Sequence, residues 1–371
     1  MSSDHALRPM PVTAWLNPVL AFVFYGAASA LGLGDAFAPG VLGTILAVLL
    51  VPVLFGAVFA AVYHAEIIAY RTGEPFGTLV LTAAVTIIEV ALIASVMLTD
   101  PDGSPALARD TVFAVVMTVC AGLTGLCLLA GGLRYREQSY RVTGSGAYLT
   151  VLLVLTTITL ILPNFTQASG PSYAKGQLIF VGVATIALYG AFLFIQTVRH
   201  RDYFVALTES EHEDGAHDVA RARLVASVAL LFAALVGVIL LSKKFAAVVE
   251  TARLAIGAPA PVTGLVVAIL ILMPEGVAAL QAARKDQIQK SLNLALGSSL
   301  ATIGMTFPTV VAVALYLDKP LTLGLDPFSM VMLVLTLLVS TLTLGAGRSN
   351  VLYGAVHLVI FATFLFFTFD P

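Results

Sequence analysis

The sequence contains few charged residues, two cysteines and one tryptophan. Charged residues make up 11% of its 371 positions and hydrophobic residues 59%, whereas a soluble domain carries about 25% charged residues. This composition excludes an ordinary soluble domain and indicates an integral membrane protein. The net charge is −2 and no basic patch with interleaved aromatic residues occurs, so nucleic acid is excluded as an expected partner.

The scarcity of cysteine and of catalytic motifs excludes further classes. Cys120 and Cys127 lie in one apolar segment, and we interpret them as small apolar side chains. Two such residues give neither a disulfide framework nor a cysteine-based metal site. The sequence also lacks an HExxH motif and a clustered Asp motif of a prenyl-transfer enzyme. We therefore expect no enzyme activity and no bound cofactor.

Apolar stretches long enough to cross a bilayer dominate the chain, since a span needs about 20 mostly apolar residues. We predict an all-α polytopic membrane protein with about 11 transmembrane helices. The predicted spans are 15–33, 40–63, 77–98, 110–132, 146–163, 176–197, 224–243, 261–283, 291–316, 327–345 and 350–369. The segment 244–260 is either a loop or an amphipathic surface helix.

The distribution of Lys and Arg predicts the orientation, because cytoplasmic loops carry more of both. With the N-terminus in the cytoplasm, most of the 19 Lys and Arg residues fall on the cytoplasmic side. The C-terminus is then periplasmic or extracellular. Arg8 and the "ASA" at 28–30 also resemble a signal peptide with its cleavage site. Its removal would leave ten spans in the same placement.

Two glutamates stand out because each is the single charge of a long apolar stretch. Glu89 lies in 76–98 and Glu275 in 262–283. An offset of 186 residues superimposes both and three further identical pairs around them: Pro75 on Pro261, Leu79 on Leu265 and Val80 on Val266. The third span starts inside and the eighth starts outside, so the two segments are antiparallel.

This pattern predicts an inverted repeat of five spans against five, an architecture found in many secondary transporters. The expected divisions are an N-terminal tail with an extra span, the first repeat, an acidic cytoplasmic linker and the second repeat. Their boundaries are 1–39, 40–197, 198–223 and 224–371.

An ionised side chain at the bilayer centre costs about 2.5 kcal/mol or more. Removal from water disfavours the charged form of a carboxyl group, and a second carboxylate nearby disfavours it further. Glu89 and Glu275 in one midplane site would therefore hold protons, and a divalent cation would neutralise both and displace those protons. That exchange is the minimal design of a cation/proton antiporter.

A hard cation such as Ca²⁺ needs about 6–8 oxygen ligands, so we searched for oxygens near the glutamates. The candidate oxygens form two sets. One set lies on the helical face of Glu89, and the other lies in the ninth span. Pro274 lacks an amide hydrogen, which leaves the carbonyl of Leu270 available. The remaining candidates are the hydroxyls of Thr82, Thr86, Ser298, Ser299 and Thr302.

Three segments carry a resemblance to a known family: "GEPFGTLVLTAAVTIIEVALIASVML" (73–98), "APVTGLVVAILILMPEGVAALQAA" (260–283) and "NLALGSSLATIGMTFP" (293–308). They resemble the two α-repeats of the cation/Ca²⁺ exchanger superfamily. Within it, the chain resembles the bacterial ChaA-type calcium/proton antiporters. The turn "YREQSY" (135–140) and "RSNVLYGAVHL" (348–358) extend the resemblance over nearly the whole chain.

The resemblance implies 1 + 5 + 5 spans, a Ca²⁺ site around the two repeat glutamates, and alternating access in exchange for protons. Glu89 and Glu275 would be the ligands and proton carriers. Gly297, Ser298 and Thr302 match the start of the family's helix after the second glutamate, with Thr302 in place of Asn.

The matching helix of the first repeat departs from this pattern, because 115–125 offers Thr118 and Thr124 as its hydroxyls. Na⁺ or K⁺ therefore stays open as the alternative cation. The expected function is antiport of Ca²⁺, or alternatively of Na⁺ (K⁺), against protons in the cell's inner (plasma) membrane. Its partners are then inorganic cations and the lipid bilayer. A channel fits two buried titratable groups in inverted repeats less well.

The linker "LTESEHEDGAHD" (207–218) gathers acidic residues and histidines between the two halves. We interpret this segment either as a solvated acidic linker or as a weak regulatory cation site whose histidines titrate near physiological pH. The residues of the regulatory site would be Glu209, Glu211, His212, Glu213 and Asp214. Their spacing matches no EF-hand loop.

Overall fold

A computed structural model describes residues 10–32, 34–37, 40–73, 76–99, 106–205, 221–316 and 321–370. The side chains of Phe76, Thr78, Leu79, Thr82 and of residues 96–99 lie outside this described part. The described chain is helical apart from connecting turns and one pair of two-residue strands.

The α-helices, in chain order, are α1 Val12–Ala30, α2 Val41–Thr72, α3 Phe76–Thr99, α4 Leu107–Met117, α5 Thr124–Tyr135, α6 Val142–Thr156, α7 Lys175–Phe194, α8 Arg221–Ala255, α9 Pro261–Ala283, α10 Ile288–Ala301, α11 Phe307–Tyr316, α12 Pro327–Gly345 and α13 Val351–Phe369. Helical segments with π geometry are Thr118–Leu123, Thr157–Ile161, Ile195–Arg199 and Thr302–Thr306. Short 3₁₀ turns are Leu162–Phe165 and Arg201–Phe204, and the strands are β1 Gln138–Ser139 and β2 Arg348–Ser349.

Each predicted span overlaps a helix of the structure. Within the described residues, ten helical stretches are long and apolar enough to cross a membrane. The remaining predicted span is α3, whose described apolar part is Ala83–Ser95. Two of the spans, Leu107–Tyr135 and Ile288–Tyr316, continue through a π segment without a break. The prediction of an all-α polytopic membrane protein is thus confirmed.

One expectation about α8 is wrong: no separate surface helix follows the seventh span, because α8 runs unbroken from Arg221 to Ala255. Two lysines near its middle are accommodated by local partners. The ammonium of Lys243 lies 2.8 Å from Asp35 Oδ2. Lys244 is 5% exposed, donates to the carbonyl of Gly34 at 3.2 Å and lies 5.4 Å from the ring centre of Phe37. With both charges compensated, the helix continues past them.

The helices form two compact units. The first contains α1, α2, α3 and α8, within Met1–Gly103 and Glu213–Gly257. In it, α2 packs against α1, α3 and α8. A buried histidine ties α2 to α1: His64 Nε2 lies 3.0 Å from the carbonyl oxygen of Ala14. That carbonyl is available because Pro18, four residues on, has no amide hydrogen.

The second unit contains the other helices, within Ser104–His212 and Ala258–Pro371. In it, α5 and α13 pack closely, because Gly125 and Gly354 allow the backbones to meet. A Cβ at Gly354 would lie 2.5 Å from the backbone nitrogen of Leu129. Beside this contact β1 and β2 pair antiparallel, with Gln138 opposite Ser349. The two segments "YREQSY" and "RSNVLY" are therefore neighbours in space.

The contact at Gly354 predicts a sharp dependence of stability on one methyl group. Gly354→Ala should lower the stability of the protein by about 1–3 kcal/mol, because the new Cβ meets backbone that cannot move aside. The matched control is Gly190→Ala in α7, where a Cβ meets nothing within 4 Å and the higher helix propensity of Ala favours the folded state. The measurement is the melting temperature of the detergent-purified variants. Equal melting temperatures would contradict the described contact.

Candidate functional site

The first glutamate lies on α3, in the first unit. Glu89 is 1% exposed and Thr86, three residues earlier on the same helical face, is 9% exposed. The helix packs against α2 and α8, and the hydroxyl oxygens of Ser95 and Ser242 lie 2.6 Å apart between α3 and α8. The predicted ligand Thr82 lies on the same helix, but its side chain is outside the described part. The first unit thus has a buried carboxylate with one described hydroxyl three residues before it.

The second glutamate lies on α9, in the second unit. Glu275 is partly buried and follows Pro274, which is buried inside the helix. Because Pro274 has no amide hydrogen, the carbonyl of Leu270 has no backbone donor at the usual position four residues on. Leu270 itself is 1% exposed. The predicted carbonyl ligand is therefore buried one helical turn before the carboxylate.

Two elements that carry hydroxyls pack against α9. The first is α10, with Ser298, Ser299 and Thr302 at and just after its C-terminal end. Ser299 is fully buried, and its hydroxyl oxygen makes no hydrogen bond to any described residue. Thr302 is 2% exposed and begins a π segment, while Ser298 is partly buried.

The second is the span formed by α4, the π segment Thr118–Leu123 and α5. This π segment also begins at a threonine, and the oxygen of Thr118 is buried without a hydrogen-bond partner among the described residues. A Cβ placed at Gly276, next to Glu275, would lie 3.7 Å from Leu123. The Glu275 helix therefore runs directly beside the widened turn. Short π segments occur frequently at functional sites.

The second unit thus brings Glu275, Leu270, Ser298, Ser299 and Thr302 onto two helices that pack together. Sequence analysis missed the π segments, because one extra residue in a turn leaves the apolar pattern unchanged. Among the described residues no group of three or more His, Cys, Asp and Glu side chains could hold a metal ion. A cation bound here would use carboxylate, hydroxyl and carbonyl oxygens, which are the ligands that hard cations prefer.

The predicted regulatory residues Glu209, Glu211, His212, Glu213 and Asp214 lie outside the described residues. The chain just before them is held in place: Arg141 Nε donates to the carbonyl of Val205 at 3.0 Å. Asn293 Nδ2, on α10, donates to that of Phe204 at 2.6 Å. The described chain that precedes these residues is therefore bonded to the helix that carries Ser298 and Ser299.

A bundle of membrane-spanning helices in which two single glutamates occupy repeat-related positions is typical of a secondary cation transporter. The family model of the sodium/calcium exchanger protein matches residues 41–198 and again residues 226–369. The chain belongs to this family, as its sequence segments indicated. The fold class predicted from the sequence, an extra helix and two inverted five-helix repeats, is that of the family.

Individual relatives cover most of the chain. It is 44% identical over 363 residues to the y4hA protein of Sinorhizobium fredii, covering 98% of this chain and 97% of that one. It is 38% identical over 320 residues to the sodium-potassium/proton antiporter ChaA of Escherichia coli, covering 84% and 85%. It is 27% identical over 269 residues to a Ca²⁺/H⁺ antiporter of Synechocystis, covering 67% and 71%.

Solved structures share the fold at low sequence identity. The native structure of YfkE matches with a TM-score of 0.72 at 17% identity, covering 96% of this chain and all of that one. The H⁺/Ca²⁺ exchanger CAX matches with a TM-score of 0.68 at 14% identity, covering 95% and 88%. Both likenesses extend over nearly the full length of this chain.

We expect removal of the buried Ser299 hydroxyl to keep or raise the stability of the protein and to weaken its binding of the transported cation. Ser299→Ala removes a buried polar atom that no described residue satisfies, so the protein should be as stable or more stable. The apparent KM for the transported cation should rise about tenfold, the loss of roughly one ligand interaction.

The control is Thr309→Val in α11, which removes an exposed hydroxyl bonded to the carbonyl of Met305 in its own helix. The measurements are melting temperature in detergent and cation-dependent transport in vesicles. An unchanged KM for Ser299→Ala would remove Ser299 from the site.

Proposed function

We propose that the protein is a secondary active antiporter that exchanges Ca²⁺ for protons by alternating access, with Glu89 and Glu275 binding both the cation and the protons. One observation carries the proposal: each glutamate is the single charge of its helix, and the two occupy repeat-related positions. A carboxylate at that depth is costly unless it is protonated or paired. Cation binding and protonation both remove that cost.

Coupling follows from the use of the same oxygen atoms by both substrates. When the carboxylates are ionised they attract a cation, and when they are protonated they have no charge to hold it. The cation must then leave before the protons bind. The cation and the protons therefore cross the membrane in opposite directions as the protein alternates. Hydroxyls of Thr82, Thr86, Ser298, Ser299 and Thr302, with the carbonyl of Leu270, would complete the oxygen shell that Ca²⁺ requires.

The alternative is a Na⁺(K⁺)/H⁺ antiporter on the same scaffold. The relative from Escherichia coli is named a sodium-potassium/proton antiporter, whereas the relative from Synechocystis is named a Ca²⁺/H⁺ antiporter. The few hydroxyls in the first-repeat helix, Thr118 and Thr124, also favour a less demanding ion than Ca²⁺. Both alternatives use the same two glutamates and differ in the charge that is exchanged.

The proposed setting is the inner (plasma) membrane, crossed several times, with the N-terminus in the cytoplasm and the C-terminus outside. Support comes from the excess of Lys and Arg in the loops that this orientation makes cytoplasmic. The repeats then occupy 40–197 and 224–371, with the acidic linker 198–223 between them on the cytoplasmic side.

The central test uses inside-out membrane vesicles with an acid interior, in which a dye reports the pH gradient. In the wild type, added Ca²⁺ should release the trapped protons, and Na⁺ and K⁺ are added separately to identify the ion. Glu89→Gln and Glu275→Gln should each abolish the response, since an amide neither ionises nor carries a proton. The loss expected is at least about 100-fold, as for a residue that acts directly on the transported ion.

Glu137→Gln is the matched control, because the Glu137 side chain is 62% exposed and should leave transport unchanged. A response to Na⁺ or K⁺ without a response to Ca²⁺ would establish the alternative. Wild-type transport by both Gln variants would show that the two glutamates are not the site.

The linker is proposed as a weak regulatory cation site, supported by its acidic composition and by its attachment to α10 through Phe204. A variant with Glu209, Glu211, Glu213 and Asp214 changed to Gln or Asn should keep the KM for transport. The same variant should bind fewer weakly held Ca²⁺ ions than the wild type, measured by flow dialysis of the purified protein. Equal binding by both proteins would show that the segment is a solvated linker.

A further inference from the structure

A fully buried histidine holds the π segment of the first-repeat helix. His357, on α13, is 0% exposed, and its Nδ1 lies 2.7 Å from the carbonyl oxygen of Cys120. Its Nε2 lies 3.1 Å from the hydroxyl oxygen of Thr343. A carbonyl oxygen only accepts, so Nδ1 carries the hydrogen, and in the neutral ring Nε2 accepts from Thr343. The hydrogen-bond network thus assigns the tautomer.

The accepting carbonyl belongs to the widened turn itself. In a π segment the backbone bonds shift from i+4 to i+5, and two successive carbonyls of Thr118–Leu123 receive side-chain donors. Val119 accepts from Thr124 Oγ1 at 2.8 Å, and Cys120 accepts from His357. The first donor comes from the same span, whereas the second comes from another helix. His357 therefore ties the geometry of this turn to α13.

The ring has little freedom to move. A Cβ at Gly125 would lie 3.0 Å from His357 Cβ, and one at Gly122 would lie 3.1 Å from the ring of Phe361. Helix α13 thus packs on the span with almost no space between the backbones. The Tyr140 hydroxyl donates to the backbone carbonyl of Thr343 at 2.9 Å, which anchors the second partner of the imidazole as well.

We propose that His357 is a positioning residue for cation binding: its Nδ1–H fixes the π segment and so sets where the Thr118 hydroxyl lies. The inference rests on the proposed function, since it assumes a cation site beside the Glu275 helix. Thr118 precedes Cys120 by two residues, and its oxygen is buried without a hydrogen-bond partner among the described residues. The span that carries it packs against α9. A shift of the turn would displace this oxygen without touching a carboxylate.

The test uses three substitutions that differ in where they place a donor. The Asn amide nitrogen takes nearly the position of Nδ1, the Gln amide nitrogen takes nearly that of Nε2, and Leu offers no donor. His357→Leu and His357→Gln should raise the apparent KM for the transported cation about tenfold, with the maximal rate within about twofold of wild type. His357→Asn should stay within about threefold of the wild-type KM.

Each variant is purified and reconstituted in vesicles, and Ca²⁺, Na⁺ and K⁺ are titrated separately for every cation that the wild type transports. Thr343→Val removes the partner of Nε2 but keeps the bond to Cys120, so its KM should stay within about threefold as well. The exposed Thr363 on the same helix gives the matched control Thr363→Val. If His357→Leu yields too little protein, the contrast between Asn and Gln decides.

An unchanged KM in the Leu and Gln variants would overturn the proposal. An equal change of KM in all three variants would also overturn it, and so would a fall in yield and maximal rate at constant KM. Those results are expected if His357 only stabilises the fold. Failure of the proposed function looks different: the Glu89→Gln and Glu275→Gln variants would then still transport. If both Gln variants are inactive and His357→Leu has a wild-type KM, the positioning role alone is wrong.

Discussion

Every backbone carbonyl in a membrane-spanning helix needs a donor, because the hydrocarbon core offers no water and an unsatisfied group costs several kcal/mol. This constraint explains where the two buried histidines of the described chain lie. Pro18 lies inside α1 and has no amide hydrogen for the carbonyl of Ala14. His64 donates to that carbonyl instead. The π segment widens its span, and His357 donates to the carbonyl of Cys120. In both places an imidazole from a neighbouring helix supplies the donor.

The same problem arises beside the second glutamate and has a different solution. Pro274 leaves the carbonyl of Leu270 without its usual backbone donor, one turn before Glu275. A cation bound by the carboxylate could draw on this carbonyl as an additional oxygen ligand. The irregular backbone is then part of the proposed site, in keeping with transporters that place broken helices where ions bind. Proline in α1 fixes a helix contact, whereas proline in α9 makes an oxygen available.

The presence and approximate positions of the membrane-spanning helices were predictable from the sequence, because few charges are tolerated in a bilayer and apolar runs are long. The scarcity of charge also singled out Glu89 and Glu275. The π segments were not predictable, since Cys120 is bonded by a residue 237 positions later in the chain. The extension of α8 was missed for a related reason: Lys243 and Lys244 signalled the end of a span, but Asp35 and Phe37 compensate them. Such pairings depend on tertiary contacts that periodicity does not encode.

Charge balance distinguishes the two classes of transported ion on physical grounds. Two ionised glutamates carry two negative charges, which one Ca²⁺ or two protons neutralise. A single Na⁺ or K⁺ would leave one charge uncompensated in a medium of low dielectric constant, which is costly. In the proposed mechanism, monovalent exchange therefore needs either a second bound cation or one of Glu89 and Glu275 that keeps its proton throughout the cycle. The hydroxyls proposed as ligands, such as those of Ser299 and Thr118, carry no charge, so in the proposed mechanism the number of carboxylates that ionise sets the charge that is exchanged.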